Sequence, residues 1–224
     1  MSKLILVPTP IGNLEDITLR AIRILKESEI IFSEDTRVTK KLLDHFGISK
    51  KCLPFHAHNE HRFLDKSIEL IRNSQSAVLV SDAGTPGISD PGFLLVRACI
   101  QNDIEVECLP GPTAFVPALV ASGFPSDKFV FEGFLPHKKG RQTRLNLLSQ
   151  ENRTIIFYES PHRLVKTLEQ MAEHFELSRE ICVVREISKI YETYHRGTLE
   201  DNINYFRQHA PKGEIVLIVK GQED

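Results

Sequence analysis

From residue 4 to residue 110, short apolar runs alternate with stretches whose apolar residues recur every three to four positions. LILVP (4–8), EIIFSED (29–35), AVLVSD (77–82) and IEVECLP (104–110) read as strands. Between them, TLRAIRILKES (18–28) carries Leu19, Ile22 and Leu25 in helical register, with Thr18 placed to cap it. TRVTKKLLDHFG (36–47), stopped by Gly47, and EHRFLDKSIELIRN (60–73) are two more amphipathic helices. Strands that alternate with helices pair in parallel, with the helices laid over the sheet, so this half predicts an α/β unit. LILVP shows no polar alternation, as expected of a strand buried on both faces. Each strand runs into a polar or turn-rich loop, and open α/β sheets collect ligands outside the carboxyl ends of their strands.

After LPGPTAFVPALVASGFP (109–125) the pattern changes. FVFEGFLP (129–136), RTIIFYESPHR (153–163), EICVVREI (180–187), YETYHRGTL (191–199) and GEIVLIVKG (213–221) contain strands. Helices are predicted after HKKGRQTR and over HRLVKTLEQMAEHF (162–175). No helix separates EICVVREI from YETYHRGTL, so the second sheet is expected to be mixed, with an antiparallel element. The expected division is a parallel-sheet domain over 1–112 and a mixed-sheet domain over 113–224.

Composition narrows the class. With 41% hydrophobic and 26% charged residues, the 224-residue chain resembles ordinary soluble proteins. No apolar run approaches the roughly 20 residues of a membrane helix. MSKLILVPTP lacks the apolar core and cleavage site of a signal peptide, so the cytoplasm is the expected compartment. Cys52, Cys99, Cys108 and Cys182 are scattered without a CxxC, which argues against disulfides and a metal centre. The formal net charge is -2, so any nucleic-acid contact must rest on a local patch.

SDAGTPGISDPG (81–92) is the richest loop. It has no lysine for a Walker-type phosphate cradle, and its glycines (Gly84, Gly87, Gly92) do not fit GxGxxG. Asp82 and Asp90 would repel phosphate and suit a cationic ligand rich in hydroxyls and amines, such as S-adenosylmethionine. The plainer reading, a turn followed by a helix capped by Ser89 or Asp90 with Pro91 in its first position, accounts for Ser89–Gly92 but not for Ser81–Gly87. LVPTPIGN (6–13) is a second stiff loop, a ligand contact or a rigid connector. In SEDTRVTKK (33–41), Glu34, Asp35 and Arg37 stand at a strand end, where Arg37 suits a phosphate and Asp35 suits a helix cap.

PFHAHNEHR (54–62) offers His56 and His58 in an HxH pair, but no further ligand at regular spacing. A polar loop lining a substrate cleft is the better reading. PGPTA (110–114) is too rigid for a floppy linker, and its Thr113 hydroxyl can reach a ligand. HKKGRQTR (137–144) gathers Lys138, Lys139, Arg141 and Arg144, either a solvated face or a place to hold RNA phosphates. No GxSxG elbow supports a serine nucleophile.

PTPIGNL (8–14), SEDTR (33–37), SDAGTPGISDPG (81–92), LPGPTA (109–114), GFLP (133–136), FYESPHR (157–163), REISK (185–189) and KGE (212–214) occur in this order. Together they resemble the ribosomal RNA small subunit methyltransferase I family, 2'-O-ribose cytidine methyltransferases within the tetrapyrrole methylase class. The resemblance covers nearly the whole chain. It implies two α/β domains with S-adenosylmethionine in the cleft between them, a homodimer, and small-subunit rRNA or the 30S subunit as partner. The substrate implied is a cytidine of the decoding region. It further implies cofactor contacts from Pro8, Ser81, Asp82, Ala83, Gly84, Ile88, Ser89, Thr113, Ala114, Tyr158, Lys212 and Gly213. Many members carry a further C-terminal stretch, and where that stretch helps hold RNA, affinity or substrate range is expected to differ here.

Methyl transfer to a ribose hydroxyl needs alignment and a proton acceptor. Glu34 and Asp35 are the expected acceptors or orienting groups, Arg37 a clamp for a flanking phosphate, and His56 and His58 reserve bases. Asn13, Thr36, Lys138, Lys139, Arg141 and Arg163 complete the expected substrate side, with no metal. The alternatives are a small-molecule tetrapyrrole methylase and a non-catalytic RNA-binding module.

Overall fold

The computed structural model describes residues 2–56 and 60–222. The chain divides into two units, Met1–Thr113 and Ala114–Asp224.

In the first unit, β1 (Lys3–Leu6), β2 (Ile30–Ser33), β3 (Cys52–Pro54), β4 (Ser76–Val80) and β5 (Glu105–Cys108) form one parallel sheet in the order β3-β2-β4-β1-β5. Helices α1 (Leu19–Glu27), α2 (Thr36–His45), α3 (Glu60–Arg72) and α4 (Phe93–Gln101) connect the strands. Side chains alternate along a strand, so both faces are apolar and both are covered. Leu4, Leu6, Phe32, Ala77 and Leu79 pack with Ile68 and Ile71 of α3 and with Leu95 and Cys99 of α4. Ile5, Val7, Ile31, Val78 and Val80 pack with Ala21 and Leu25 of α1 and Leu43 of α2. Because β2, β4 and β1 are neighbours, the loops that leave their carboxyl ends are neighbours as well.

The second unit opens with α5 (Phe115–Ser122), closed by Gly123 in the left-handed region, and continues with β6 (Phe129–Phe134), α6 (Arg141–Ser149), β7 (Thr154–Glu159) and α7 (Leu164–Met171). It ends with β8 (Glu180–Arg185), β9 (Thr193–Thr198), α8 (Leu199–Gln208) and β10 (Ile215–Val219). The sheet order is β6-β7-β10-β8-β9, and only β6 and β7 are parallel. β10, the last strand, lies in the middle, and its five residues are all buried. Leu145 of α6, Leu164 and Leu168 of α7, and Ile203 and Phe206 of α8 fill one face against Ile155, Phe157, Ile181 and Leu217. The other face receives α5, which packs on β8 and β10.

Four elements depart from the sequence reading, the first being the short β3, which lies where the sequence predicts no strand. α5 lies in a stretch to which the sequence assigns no element, because its residues are apolar nearly all round and give no helical period. α8 was overlooked, although Thr198 and Asp201 form a capping box at its start. α4 begins at Phe93 rather than at Pro91, and neither Ser89 nor Asp90 caps it. Glu60, at the start of α3, does so instead, its Oε1 accepting the Gly92 and Leu94 amides at 3.2 Å each.

Candidate functional site

Three loops of the first unit are fastened together beyond the carboxyl ends of β1, β4 and β5. The amides and carbonyls of Thr9 and Gly84 exchange two hydrogen bonds of 2.9 Å, and the Thr9 hydroxyl donates to the Ser81 carbonyl at 3.1 Å. Gly84 sits at φ +83°, a conformation that L side chains rarely adopt. Thr85 Oγ1 lies 3.1 Å from the Pro112 carbonyl, to which it donates, and 2.5 Å from Thr113 Oγ1. Gly111 approaches Pro8 so closely that an added Cβ would stand 2.7 Å from the proline ring. The loops containing Pro8, Ser81–Gly84 and Thr113 therefore form one preorganised surface.

A second lock joins the ends of β2 and β4. Asp82 Oδ1 accepts the Asp35 amide at 2.9 Å, and the Asp82 amide donates to Glu34 Oε2 at 3.4 Å. Asp35 also caps α2, accepting the Arg37 amide at 2.8 Å, and its carboxylate takes Arg37 Nε at 3.0 Å and Nη2 at 2.6 Å. The Arg37 side chain lowers the Asp35 pKa to about 2, so Asp35 is a weak base with a structural task. Arg37 is otherwise exposed, with a face left for solvent or an anion.

Glu34 behaves differently. Burial raises its pKa, the Asp82 amide pulls the other way, and the Asp82 charge adds to the rise. Burial likewise raises Asp82. Asp90 is pushed up to about 7, first by burial and then by the charge of Glu34. Carboxyls with pKa values shifted toward neutrality by burial and like charge are the usual mark of a functional site. The sequence offers Asp90 both as a carboxylate for a cationic ligand and as a helix cap; Asp82 lies in the same loop, while Glu34 comes from a segment distant in the chain.

Other expected residues take plainer positions. Asn13 is exposed and caps a short 3-10 turn, accepting the Glu15 amide at 3.1 Å. Thr36 opens α2 and is half-buried, as is His56, whose charge bears on Glu34. His58 lies outside the described residues. Ala83 is exposed, Ile88 half-buried, and Ser89 adopts φ 62°. Among the described residues there is no group of three or more His, Cys, Asp or Glu arranged to hold a metal.

In the second unit, Ala114 leads into α5, and half-buried Tyr158 meets Phe131 edge-on at 5.2 Å and Phe134 at 5.7 Å. Lys212 is exposed, and Gly213 has φ +83° with Glu186 filling the space a Cβ would need. Lys138 and Lys139 are exposed on the turn after β6.

Arg141 does not join them, contrary to expectation. It is 6% exposed, and its guanidinium donates to Gln170 Oε1 (2.7 Å), Thr167 Oγ1 (2.7 Å) and the Pro136 carbonyl (3.1 Å). Thr167 in turn donates to the buried Glu159 at 2.6 Å. Arg163 is likewise held inward, 3.2 Å from Glu159 Oε1 and donating to the Leu135 carbonyl at 3.1 Å. Arg144 is paired with Glu132. The basic run therefore presents two lysines, while its arginines brace the loop that carries them.

Comparison with known proteins agrees with this architecture. The family model of the Tetrapyrrole (Corrin/Porphyrin) Methylases matches residues 3–202. The chain is 44% identical to the ribosomal RNA small subunit methyltransferase I of Thermotoga maritima over the full length of both. It is 48% identical to the Synechocystis protein of that name, over 99% of this chain and 80% of that one. For the Escherichia coli O157:H7 protein the figures are 46%, 99% and 78%. Among solved structures, a diphthine synthase superposes with a TM-score of 0.74 at 11% identity, over 98% of this chain and 90% of that one. A uroporphyrin-III-C-methyltransferase from Thermus thermophilus gives 0.66 at 20% identity, over 98% and 94%; at such identities these two speak for the fold alone. The chain is a methyltransferase that belongs to the tetrapyrrole methylases and, within them, to the ribosomal RNA small subunit methyltransferase I family.

Proposed function

We propose that this enzyme transfers a methyl group from S-adenosylmethionine to the ribose 2'-hydroxyl of a cytidine in the decoding region of small-subunit rRNA. The observation that carries the reading is the convergence of Glu34, Asp82 and Asp90 on a glycine-containing surface without a lysine. That surface disfavours a phosphate-rich cofactor and fits one bearing a sulfonium, an ammonium and a ribose diol. The left-handed backbone of Gly84 and the closeness of Gly111 to Pro8 favour glycine at both places, so that backbone rather than side chain is offered there. The names of the full-length relatives support rRNA as the substrate.

Pro8, Ser81, Asp82, Ala83, Gly84, Ile88, Ser89 and Thr113 in the first unit, and Ala114, Tyr158, Lys212 and Gly213 in the second, are the candidate cofactor contacts. When bound, the cofactor supplies a methyl already activated by positive charge on sulfur. The chain's own task is to align a hydroxyl and take its proton. Glu34 is the better acceptor, because burial keeps its carboxylate a stronger base than Asp35, which Arg37 holds near 2. Asp90, poised near 7 beside it, buffers that proton. Arg37, Lys138 and Lys139 are the candidate phosphate contacts. We further propose a cytoplasmic homodimer; in the described residues no helix is long and apolar enough to cross a membrane.

The test is incubation with methyl-labelled S-adenosylmethionine and, separately, 30S subunits, free rRNA or a porphyrinogen. Label in an alkali-resistant cytidine dinucleotide is expected, since a 2'-O-methyl blocks cleavage of the next phosphodiester. Label in the porphyrinogen alone would overturn the assignment. Glu34→Gln should lose turnover while still binding cofactor by calorimetry. Normal turnover in both Glu34→Gln and Asp35→Asn would remove the proposed proton acceptor.

A further inference from the structure

A cavity of about 320 Å³ opens beside the carboxylate cluster, bounded by the loop after β1 and by α2. Its volume is at the low end for small-ligand sites, room for one nucleoside rather than a macrocycle. Leu14, Val38 and Leu42 give it apolar walls, and Ser81 and Asp82 form its end nearest Glu34. Thr39 also lines it, 3% exposed, and its Oγ1 has no hydrogen-bond partner among the described residues. A buried hydroxyl in that state is an unusual feature that a polar ligand edge would satisfy. Lys41, which is exposed, supplies a cation at the cavity, and the exposed His45 an imidazole.

We infer that this cavity receives the base of the acceptor nucleotide, with Thr39 and Asp82 reading its polar edge. The inference rests on the RNA reading above and deepens it. Enzymes that act on one nucleotide splay its base out of the stack and hold it by apolar contact and by hydrogen bonds to its Watson–Crick edge. A carboxylate that accepts from the exocyclic N4 amine is the standard way to select cytosine. Uracil puts an acceptor oxygen there, which a carboxylate repels. Asp82 keeps Oδ1 on the Asp35 amide, so its carboxylate is fixed in place rather than free to turn away. The same residue's amide holds Glu34, which couples base recognition to the proposed proton acceptor. A base seated here therefore brings its own ribose toward Glu34. Lys41 and His45 are placed for the adjoining phosphodiester.

The test uses the full-length enzyme, labelled S-adenosylmethionine, and 30S subunits from cells that lack this methyl group. Val38→Trp and Leu42→Phe fill the cavity; Val38 is 39% exposed and tolerates a larger side chain. Each should raise the KM for 30S at least tenfold while the Kd for S-adenosylmethionine, by calorimetry, stays within twofold of wild type. Thr39→Val, which changes polarity and not volume, should raise the same KM severalfold. Subunits reconstituted with uridine at the acceptor position should react about tenfold to a hundredfold less well than those with cytidine. Asp82→Asn should narrow that ratio to within about threefold, whatever its absolute rate. Wild-type KM and kcat in both filled variants, or equal reaction of cytidine and uridine subunits, would overturn this inference alone. A wild-type enzyme that labels no RNA overturns the RNA reading and this one with it.

Discussion

Replacing Asp90 by Asn should make the protein more stable above neutral pH and slower as an enzyme. Burial and the Glu34 charge raise the Asp90 carboxyl from 3.8 to about 7. Three units at about 1.4 kcal/mol each would amount to about 4 kcal/mol in a fully shielded site. Asp90 is only half-buried, and solvent screening brings the working figure to about 2 kcal/mol. The folded state keeps the proton where the unfolded chain has lost it. The contribution is therefore fully present below pH about 4, drains away between about 4 and 7, and is gone above 7. Asparagine carries no charge in either state. Variant and wild type should thus coincide near pH 4 and separate by about 2 kcal/mol at pH 8, with the variant more stable. Urea unfolding followed by circular dichroism at a series of pH values measures this. With a slope of roughly 2 kcal/mol per molar, the midpoint at pH 8 should rise by about 1 M. A variant less stable than wild type at pH 8, or a difference flat across pH, would refute the argument. Gain of stability with loss of turnover is expected where a site holds strained charge for function.

Gly111→Ala should destabilise the first unit by about 1–3 kcal/mol and weaken cofactor binding in calorimetry, because its Cβ has no room beside Pro8. Arg141→Met should cost about 3 kcal/mol in urea unfolding, since it leaves Glu159 buried with less countercharge and strips Thr167, Gln170 and Pro136 of a donor. Lys138→Ala with Lys139→Ala should leave stability unchanged and reduce the slope of log K for RNA against log salt by about 1.5.

The strand ends and their loops were legible because each is a local signal. Apolar runs mark β1, β2, β4 and β5, and the density of Gly, Pro, Ser and Asp marks Ser81–Gly92. Asp35 as the cap of α2 and Thr18 as the cap of α1 were readable from adjacent residues. Residues whose roles are set by distant partners were not. Asp90 takes its character from burial and the charge of Glu34, and α4 takes its cap from Glu60, a full helix earlier. Arg141 reads as a surface cation in HKKGR, yet Thr167 and Gln170, on the next helix, draw it inside. Thr39 sits in a charged helical run that gives no hint of a buried hydroxyl. α8 was within reach, since Thr198 and Asp201 announce it; α5 was not, because an all-apolar helix has no period to detect.

The central place of β10 bears on the order in which the protein can be made. In the first unit the last strand to emerge, β5, adds to one edge of a sheet whose other four strands are already paired. That unit can acquire its sheet while the rest of the chain is still being synthesised. In the second unit, β7 and β8 are linked only through β10, so the two halves of the sheet stay apart until residues 215–219 insert between them. Until then its two strand pairs, β6–β7 and β8–β9, each present an open edge to the cell. Nascent chains stalled before residue 215 are therefore the species to expect in association with chaperones.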